Sequence, residues 1–523
     1  MARNFICTLD YPIAAMADGK VKGFELDGVL HFQGIPYARA KRFHPAEPIE
    51  KWDGVKDATS YGPIAPAYGD SAYGSSVPQG ELLMSQRFWP QNECCQNLNV
   101  WTKTMDKNAK KPVMVWLHGG GFSDGSALEL ESYDGAALCE HGDVVVVSIN
   151  HRLHLLGYLD LSAFGEQYCN SANAGISDLV EALKWVQRNV DAFGGDPNNI
   201  TIFGQSGGGG KVYTLMQTPA AAGLFHKCII MSGTDNFDRN MDHTPIVREM
   251  LKNLSISADE VEKLETFPYS ALMKAYCKAA RTVGAAINWG PIANDYYVGH
   301  PVDVGFTDYA KTVPLIVGTV IAEFGGFRGG ISIASTEAEK RAAVEDAFNG
   351  HADEIIPLFT EAYPNTDLSV LPKLDTWVRP GATAFLDTFV TGKAKAPAYL
   401  YQFALVFDVN GGTPAWHCSD IPFLFHNCHR VPCANIEEVT DRLESEMFGA
   451  VAAFAHTGNP NHDKMVQWLP YTVENKETMV FDRKTALRTN QYDSFLLKKV
   501  RDCLPKNTGS FVMPLPVEDE YTK

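Results

Sequence analysis

Short apolar runs alternate with longer amphipathic segments along most of the chain after residue 110. Six runs have the length of a strand and are apolar almost throughout: "VMVWL", "VVVVSI", "ITIF", "CIIMS", "PLIVG" and "YLYQF". Runs of this kind are typical of strands that are covered on both faces. Their alternation with helical segments predicts an α/β fold, in which a mostly parallel sheet carries helices on both sides.

Residues 175–190 predict one of these helices. Apolar residues recur there near helical spacing, and charged or amide side chains occupy the opposite face; the apolar positions are Ile176, Leu179, Val180, Leu183 and Val186. The turn "FGGDPNN" then leads into the strand "ITIF", which completes a strand–helix–strand unit. Its last strand ends just before Ser206, at the carboxyl end of the sheet, where open α/β sheets hold their sites.

The segment "GQSGGGGKV" follows this strand and has three possible interpretations. A phosphate-binding loop requires Gly where Gln205 stands and Ser or Thr where Val212 follows the lysine. A dinucleotide-binding pattern requires a last glycine where the chain has Val212 or Tyr213. The pattern Gly-x-Ser-x-Gly of a nucleophile elbow fits residues 204–208, with Ser206 at its centre.

A second Gly-x-Ser-x-Gly match, "GFSDG" at residues 121–125, makes Ser123 a competitor. Ser206 lies directly between a strand and the helical segment "KVYTLMQ", as an elbow requires, whereas Ser123 lies six residues beyond the strand "VMVWL". The context therefore favours Ser206. Each glycine inside a helix costs about 1 kcal/mol, so the run after Ser206 predicts another segment in close approach to the helix start.

A serine nucleophile needs donors for the oxyanion, a base and an acid that orients the base. The loop "HGGGF", residues 118–122, ends a strand with three residues that lack a Cβ, so its backbone N–H groups can approach a substrate oxygen. The elbow fold requires the order serine, acid, histidine, which excludes the histidines before Ser206. His417 and Glu323 each lie in a glycine-bearing segment after the elbow. Other candidates remain open as base (His426, His429, His456) and as acid (Asp420, Asp295).

The region around His417 also invites a metal interpretation. Six potential ligands lie close together in "HCSDIPFLFHNCHRVPC": His417, Cys418, His426, Cys428, His429 and Cys433. Structural zinc prefers cysteine pairs separated by two to four residues, and the spacings here are ten and five. The sequence therefore predicts neither a metal nor another cofactor.

Composition limits the possible partners. The net charge is −17, from 45 Lys and Arg against 62 Asp and Glu, which argues against nucleic-acid binding. No apolar run approaches the roughly 20 residues that span a bilayer, and Asp10 and Pro12 interrupt the start of the chain before a signal peptide can form. With eleven scattered cysteines, including adjacent Cys94 and Cys95, these features predict a cytoplasmic protein without a membrane span.

Taken together, the motifs resemble those of type-B carboxylesterases, the α/β-hydrolase branch that also contains cholinesterases and the non-catalytic neuroligins. The resemblance covers nearly the whole chain and rests on "FQGIPYA", "RFHPAEPIEKWDGVKDAT", "LNVW", "VMVWLHGGGF", "INHRL", "NAGISDLVEALKWVQRNVDAFGGDP", "ITIFGQSGG", "MSG", "GTVIAEFG", "HCSDIPFLF" and "FAHTGNPN". It implies an α/β-hydrolase fold, which we expect to form a single domain over residues 1–523.

The resemblance also implies roles for individual residues. It makes Ser206 the nucleophile, Glu323 the triad acid and His417 the base. Backbone N–H groups of three glycines would form the oxyanion hole: Gly120, Gly121 and Gly207. Two further residues would steady the acid and the histidine, namely Ser232 in "MSG" and Asp420.

The chain departs from the family pattern at informative positions. Gln205 and Gly207 flank the nucleophile where the family often has Glu and Ala. No cysteine lies between Cys7 and Cys94 to form the family's early disulfide, and the cholinesterase tryptophan that binds quaternary ammonium has no aligned match, Trp89 being the nearest. Choline specificity is therefore not expected.

The sequence thus predicts a carboxylic-ester hydrolase that acts on small-molecule esters through an acyl-serine intermediate, as a monomer or homodimer. An acyltransferase with the same triad differs only in what attacks the intermediate. A neuroligin-like binding module is a third hypothesis, for which a lost nucleophile, a signal peptide and a membrane span would be expected.

Overall fold

The computed structural model describes residues 4–67, 89–234, 242–285, 287–326 and 330–504. Nineteen strands lie in these ranges: β1 Phe5–Ile6, β2 Ile13–Ala15, β3 Lys20–Lys22, β4 Phe24–Leu26, β5 Val29–Pro36, β6 Ala38–Arg39, β7 Glu47–Pro48, β8 Val55–Asp57, β9 Asn97–Thr102, β10 Lys111–Leu117, β11 Val145–Ile149, β12 Gly195–Gln205, β13 Lys227–Met231, β14 Leu315–Val320, β15 Ala398–Phe403, β16 Val406–Phe407, β17 Thr413–Pro414, β18 Thr478–Phe481 and β19 Ala486–Arg488.

Twelve of these described strands form one large sheet in the order β1-β4-β5-β9-β11-β10-β12-β13-β14-β15-β18-β19. From β11 to β18 every neighbouring pair is parallel. The strands at both margins of the sheet pair antiparallel. Since β12 is central, residues that follow its carboxyl end lie in the middle of the molecule's widest sheet.

Thirteen α-helices lie in the described ranges: α1 Ala136–Gly142, α2 His154–Tyr158, α3 Ala174–Asn189, α4 Gly207–Met216, α5 Thr244–Asn253, α6 Tyr269–Val283, α7 Pro301–Val304, α8 Glu337–Ala347, α9 Ala352–Ala362, α10 Val378–Thr391, α11 Ile421–Phe425, α12 Thr440–Thr457 and α13 Ser494–Cys503. None of the described helices is both long and apolar enough to cross a membrane.

The two faces of the sheet bury separate hydrophobic cores because side chains alternate along each strand. In β10, Val113, Val115 and Leu117 join one core, whereas Met114 and Trp116 join the other. Helices α3, α4, α5, α6 and α10 contribute to the first core, and α1, α8, α9, α11, α12 and α13 contribute to the second. Apolar residues on both faces explain why the strands read as continuous apolar runs.

The predicted fold class is confirmed. The six apolar runs correspond to β10, β11, β12, β13, β14 and β15, and the helix predicted over residues 175–190 is α3. The antiparallel margins were not predicted, because short strands such as β1 and β19 carry too few residues for a periodic signal.

Candidate active site

Ser206 lies in the sharp turn that joins β12 to α4. Its backbone angles are φ 57° and ψ −127°, a region that costs a non-glycine residue about 1–3 kcal/mol. The turn is held from both sides, because the Ser206 N–H donates to the carbonyl of Met231 at 2.8 Å and its carbonyl accepts from Gly210 N–H at 3.0 Å. The half-buried side chain therefore projects from the carboxyl end of a central strand.

The glycines that follow Ser206 allow other backbone segments to contact the start of α4. A Cβ on Gly208 would lie 2.0 Å from the carbonyl oxygen of Leu117, and one on Gly207 would lie 2.1 Å from that of Gly121. Contacts this short exclude any side chain at these positions. The close approach predicted from the glycine run is confirmed, and the approaching segment is the loop of residues 118–122.

This glycine loop has a left-handed backbone at its centre, with φ 80° at Gly120 and φ 63° at Gly121. The carbonyl of Gly120 accepts the N–H groups of Asp124 at 2.9 Å and Ser123 at 3.2 Å, which closes the loop. Ser123 is thus a buried part of this turn and not the centre of a strand-to-helix elbow. The predicted oxyanion donors, Gly120, Gly121 and Gly207, lie where the loop meets α4.

Glu323 and His417 are brought together from segments far apart in sequence. Glu323 begins a short 3-10 turn just after β14, and His417 follows β17. The carboxylate Oε2 lies 2.5 Å from His417 Nδ1, and the backbone N–H of His417 donates to the carbonyl of Glu323 at 2.9 Å. The remaining carboxylate oxygen, Oε1, accepts from Ser232 Oγ at 2.7 Å and from Val320 N–H at 3.0 Å. Four contacts therefore fix both the acid and the imidazole.

Gln205, the residue before the elbow serine, contacts the other nitrogen of the imidazole. Its side-chain nitrogen lies 3.2 Å from His417 Nε2, and its oxygen accepts from Cys418 Sγ at 3.1 Å. Because the carboxylate of Glu323 accepts, the imidazole proton lies on Nδ1, which leaves Nε2 to accept from the Gln205 amide. The sequence showed Gln205 only as a departure from the family pattern and gave no signal of this contact.

Asp420, three residues after His417, is a fully buried acid that is bonded to a tyrosine. Its Oδ2 accepts from Tyr401 Oη at 2.6 Å, and burial raises the pKa of its carboxyl to about 6. Asp375 is a second buried acid near the site, and burial together with the charge of Glu323 raises its pKa to about 7. Both groups influence the triad candidates through their charge.

The competing histidines and acids have other surroundings. His456 Nε2 lies 2.9 Å from the carbonyl oxygen of Gly142, and His426 Nδ1 lies 2.8 Å from a carboxylate oxygen of Glu444. Asp295 is exposed. The structure therefore joins Glu323 with His417, whereas His456 and His426 lie beside other groups.

No group of three or more potential metal ligands is arranged to hold an ion among the described residues, including residues 417–433. All eleven cysteines lie within the described ranges, and each is a free thiol. The zinc interpretation thus has no cluster to support it.

An exposed aromatic ring lies against the histidine, and a second ring lies against the first. The ring centroid of Phe324 lies 4.4 Å from that of His417, and the ring of Trp377 lies 5.8 Å from Phe324. Phe324 is 48% exposed and Trp377 is 37% exposed, which is unusual for large apolar side chains beside a buried acid. The sequence did not identify either residue as part of the site, because a single aromatic residue in a loop belongs to no periodic pattern or motif.

Comparison with known proteins places the chain in a family. Residues 10–496 match the model of the carboxylesterase family. The chain is 32% identical over 496 residues to the para-nitrobenzyl esterase of Bacillus subtilis (strain 168), covering 92% of this chain and 97% of that protein. It is 29% identical to the phenmedipham hydrolase of Pseudarthrobacter oxydans, covering 90% of this chain and 94% of that protein.

Solved structures agree. An esterase from anaerobic Clostridium hathewayi that can hydrolyze aliphatic aromatic polyesters superimposes with a TM-score of 0.91 at 45% identity, covering 96% of this chain and all (100%) of that one. A carboxylesterase of Geobacillus stearothermophilus gives a TM-score of 0.70 at 30% identity, covering 94% of this chain and 100% of that chain. With its α/β-hydrolase fold and its match over nearly the whole length, the chain belongs to the carboxylesterase family and is an esterase.

Proposed function

We propose that the protein hydrolyses carboxylic esters through an acyl-serine intermediate, with Ser206 as nucleophile, His417 as base and Glu323 as orienting acid. The observation that carries the proposal is the Glu323–His417 contact of 2.5 Å, in which the same imidazole also contacts Gln205, the residue before the elbow serine. The imidazole proton on Nδ1 leaves Nε2 as the proton acceptor, which is the state a general base requires.

In the first half of the reaction, Ser206 Oγ attacks the ester carbonyl carbon and its proton moves to His417 Nε2. The carbonyl oxygen becomes an oxyanion, which accepts hydrogen bonds from the N–H groups of Gly120, Gly121 and Gly207. The C–O bond to the alcohol then breaks, and the imidazolium gives its proton to the departing alkoxide. An acyl-serine and a free alcohol result.

In the second half, water attacks the acyl-serine while His417 Nε2 accepts one of its protons. A second oxyanion forms in the same position and collapses with release of the carboxylic acid, and Ser206 Oγ regains its proton from the imidazolium. Glu323 stabilises the positive imidazolium in both halves, and Ser232 and Val320 hold its carboxylate in place.

An organophosphate ester tests the nucleophile directly. Mass spectrometry is expected to find one adduct, on the peptide that contains Ser206, with activity lost in proportion to labelling. A proportional adduct on another serine would overturn the assignment. Release of free carboxylic acid, measured with and without an added alcohol, distinguishes hydrolysis from acyl transfer.

For the substrate we propose esters with an aromatic ring next to the scissile bond. Phe324 offers an exposed ring beside His417, and Trp377 offers a second exposed ring beside Phe324. The relative from Clostridium hathewayi can hydrolyze aliphatic aromatic polyesters. Stacking between aromatic rings contributes about 0.5–1.5 kcal/mol beyond the burial of area.

Paired esters of equal size test this substrate class. In Phe324→Leu, kcat/KM for methyl benzoate is expected to fall about two- to tenfold. The kcat/KM for methyl cyclohexanecarboxylate should change little, since only the aromatic ring can stack. Phe495→Leu is the matched control, because Phe495 is a 75% exposed phenylalanine on α13. Equal losses on both esters would contradict the aromatic preference.

A further inference from the structure

Lys211 is a buried cation directly beneath the glycine loop. It lies on α4, five residues after the elbow serine, and its side chain is fully buried (0% exposed). Its Nζ donates to the carbonyls of His118 at 2.9 Å and Gly121 at 2.9 Å, with the carbonyl of Gly119 at 3.4 Å. All three acceptors belong to the loop of residues 118–122.

A buried ammonium is unfavourable unless its donors are satisfied, because burial removes its hydration. Lysine has three N–H donors, and three carbonyls of the loop lie within hydrogen-bonding distance of the Lys211 Nζ. They can converge on one point because Gly120 and Gly121 have left-handed backbone angles. The same glycine-rich contact that brings the loop onto α4 thus creates the binding place for the ammonium group.

Two buried histidines near this cation are neutral. Burial and the positive charge of Lys211 hold the pKa of His118 and of His151 well below the ordinary range for histidine. Neither imidazole therefore adds positive charge beneath the loop at neutral pH, so the positive charge there comes from Lys211. The buried Glu129 carboxyl interacts with this charge, and burial raises the pKa of Glu129 to about 7.

One of the three contacts of Lys211, with the carbonyl of Gly119 at 3.4 Å, acts directly on a peptide unit that carries a proposed oxyanion donor. The carbonyl of Gly119 and the N–H of Gly120 belong to one peptide unit, so a cation near that oxygen strengthens the N–H as a donor. The next unit, which carries the N–H of Gly121, is polarised in the same sense, because the carbonyl of Gly120 accepts two backbone N–H groups. A positive charge in this low-dielectric region also favours a developing oxyanion.

We propose that Lys211 is a positioning residue of the oxyanion hole, which fixes the glycine loop and strengthens its N–H donors through its charge. This proposal rests on the proposed function, since it assumes that the loop binds the oxyanion. The hydrogen bonds that Lys211 donates to the loop all end on backbone carbonyls, so its effect reaches the reaction through the backbone.

The test compares Lys211→Met, which has a similar length without charge, with the wild type. The expected result is a loss of about 10- to 100-fold in kcat with less than threefold change in KM, since an oxyanion donor is worth about 10²–10³ in kcat. The affinity for a trifluoromethyl ketone, which forms a tetrahedral oxyanion adduct with the serine, is expected to fall by a similar factor. A purely structural role would not lower kcat and inhibitor affinity together while sparing KM.

The matched control is Lys227→Met. Lys227 is also buried (7% exposed), and it contacts Asn199. It is the first residue of β13, whereas Met231, which accepts the N–H of Ser206, is the last residue of that strand. Its substitution is expected to leave kcat and inhibitor affinity within about threefold of wild type. Equal losses in both lysine variants would overturn the proposal, because they would reflect general destabilisation.

Lys211→Gln keeps the test falsifiable if the methionine variant does not fold. The glutamine amide can still donate to the loop carbonyls, but it carries no charge, so we expect at least a tenfold loss in kcat. Wild-type kcat in the folded glutamine variant would overturn the role of the charge. Organophosphate labelling of the wild type separates this result from the proposed function: an adduct away from Ser206 contradicts the triad, whereas a Ser206 adduct with fully active Lys211 variants contradicts the lysine proposal alone.

Discussion

The oxyanion side of the site, formed by residues 118–122 and the start of α4, consists mainly of backbone atoms. The acid–base side, formed by Glu323, His417, Ser232 and Gln205, consists of side-chain contacts between segments distant in sequence. On the first side the backbone segments meet at distances that exclude a Cβ. On the second side they meet through carboxylate, imidazole, hydroxyl and amide groups.

This difference determines which substitutions each side of the site tolerates. The oxyanion side tolerates no added volume, because its donors are fixed by backbone packing. The acid–base side tolerates small changes of shape but not a change of charge or of donor and acceptor roles, because its geometry depends on which atom carries each proton. Added volume should therefore be most damaging where the backbone segments meet on the oxyanion side, and changed donor and acceptor roles should be most damaging on the acid–base side.

The largest effect is expected where the two sides meet, at Ser206. Ser206→Ala should lower kcat by about 10⁴–10⁶, judged from triad proteases, because covalent catalysis is lost. Ser123→Ala is the matched control within the glycine loop and should retain most activity. Steady-state kinetics with a p-nitrophenyl ester measure both, and an inactive but folded Ser123→Ala beside an active Ser206→Ala would reverse the assignment.

On the acid–base side, Glu323→Gln should lower kcat by about 10³–10⁴ with little change in KM. The new amide would donate to His417 Nδ1 and force the imidazole proton onto Nε2, which could no longer accept the serine proton. Kinetics at neutral pH measure the loss. Asp420→Asn, which changes a buried acid bonded to Tyr401, is expected to stay within tenfold of wild type. Near wild-type kcat in Glu323→Gln would show that another acid orients the histidine.

On the oxyanion side, Gly207→Ala should lower kcat by about 10- to 100-fold, because its Cβ would lie 2.1 Å from the carbonyl oxygen of Gly121 and displace the loop. Affinity for a trifluoromethyl ketone should fall in parallel. Gly142→Ala is the matched control, since a Cβ there would make an ordinary contact of 3.5 Å with Val144. An unchanged Gly207→Ala enzyme would mean that the loop can retreat without loss of the donors.

The smallest effect is expected from Gln205→Glu, which changes charge but hardly changes shape. A carboxylate near His417 Nε2 favours the imidazolium and therefore raises the pKa of the imidazole. Since hydrolysis requires the neutral base, the acid limb of the kcat/KM profile should move upward by about one pH unit. Gln205→Leu, which adds no charge and only removes a hydrogen bond to the neutral imidazole, should move the limb upward by less. A downward shift in Gln205→Glu would contradict the contact between Gln205 and His417.

The sequence by itself determined the parallel sheet, the elbow at Ser206 and the glycine loop. Each of these is encoded locally: apolar runs report strands buried on both faces, and glycines report positions where a Cβ has no room. A close approach of another segment at Gly207 and Gly208 could therefore be predicted, and the contacts with Gly121 and Leu117 agree with it.

The tertiary structure alone decided which side chains meet. Several histidines followed Ser206 in the right order, and only the fold joins His417 with Glu323 while His426 and His456 lie beside other groups. It also turned Gln205 toward the imidazole and buried Lys211 beneath the loop. Such contacts join residues up to 213 positions apart, and no local period records them, because their distance depends on how strands and helices pack.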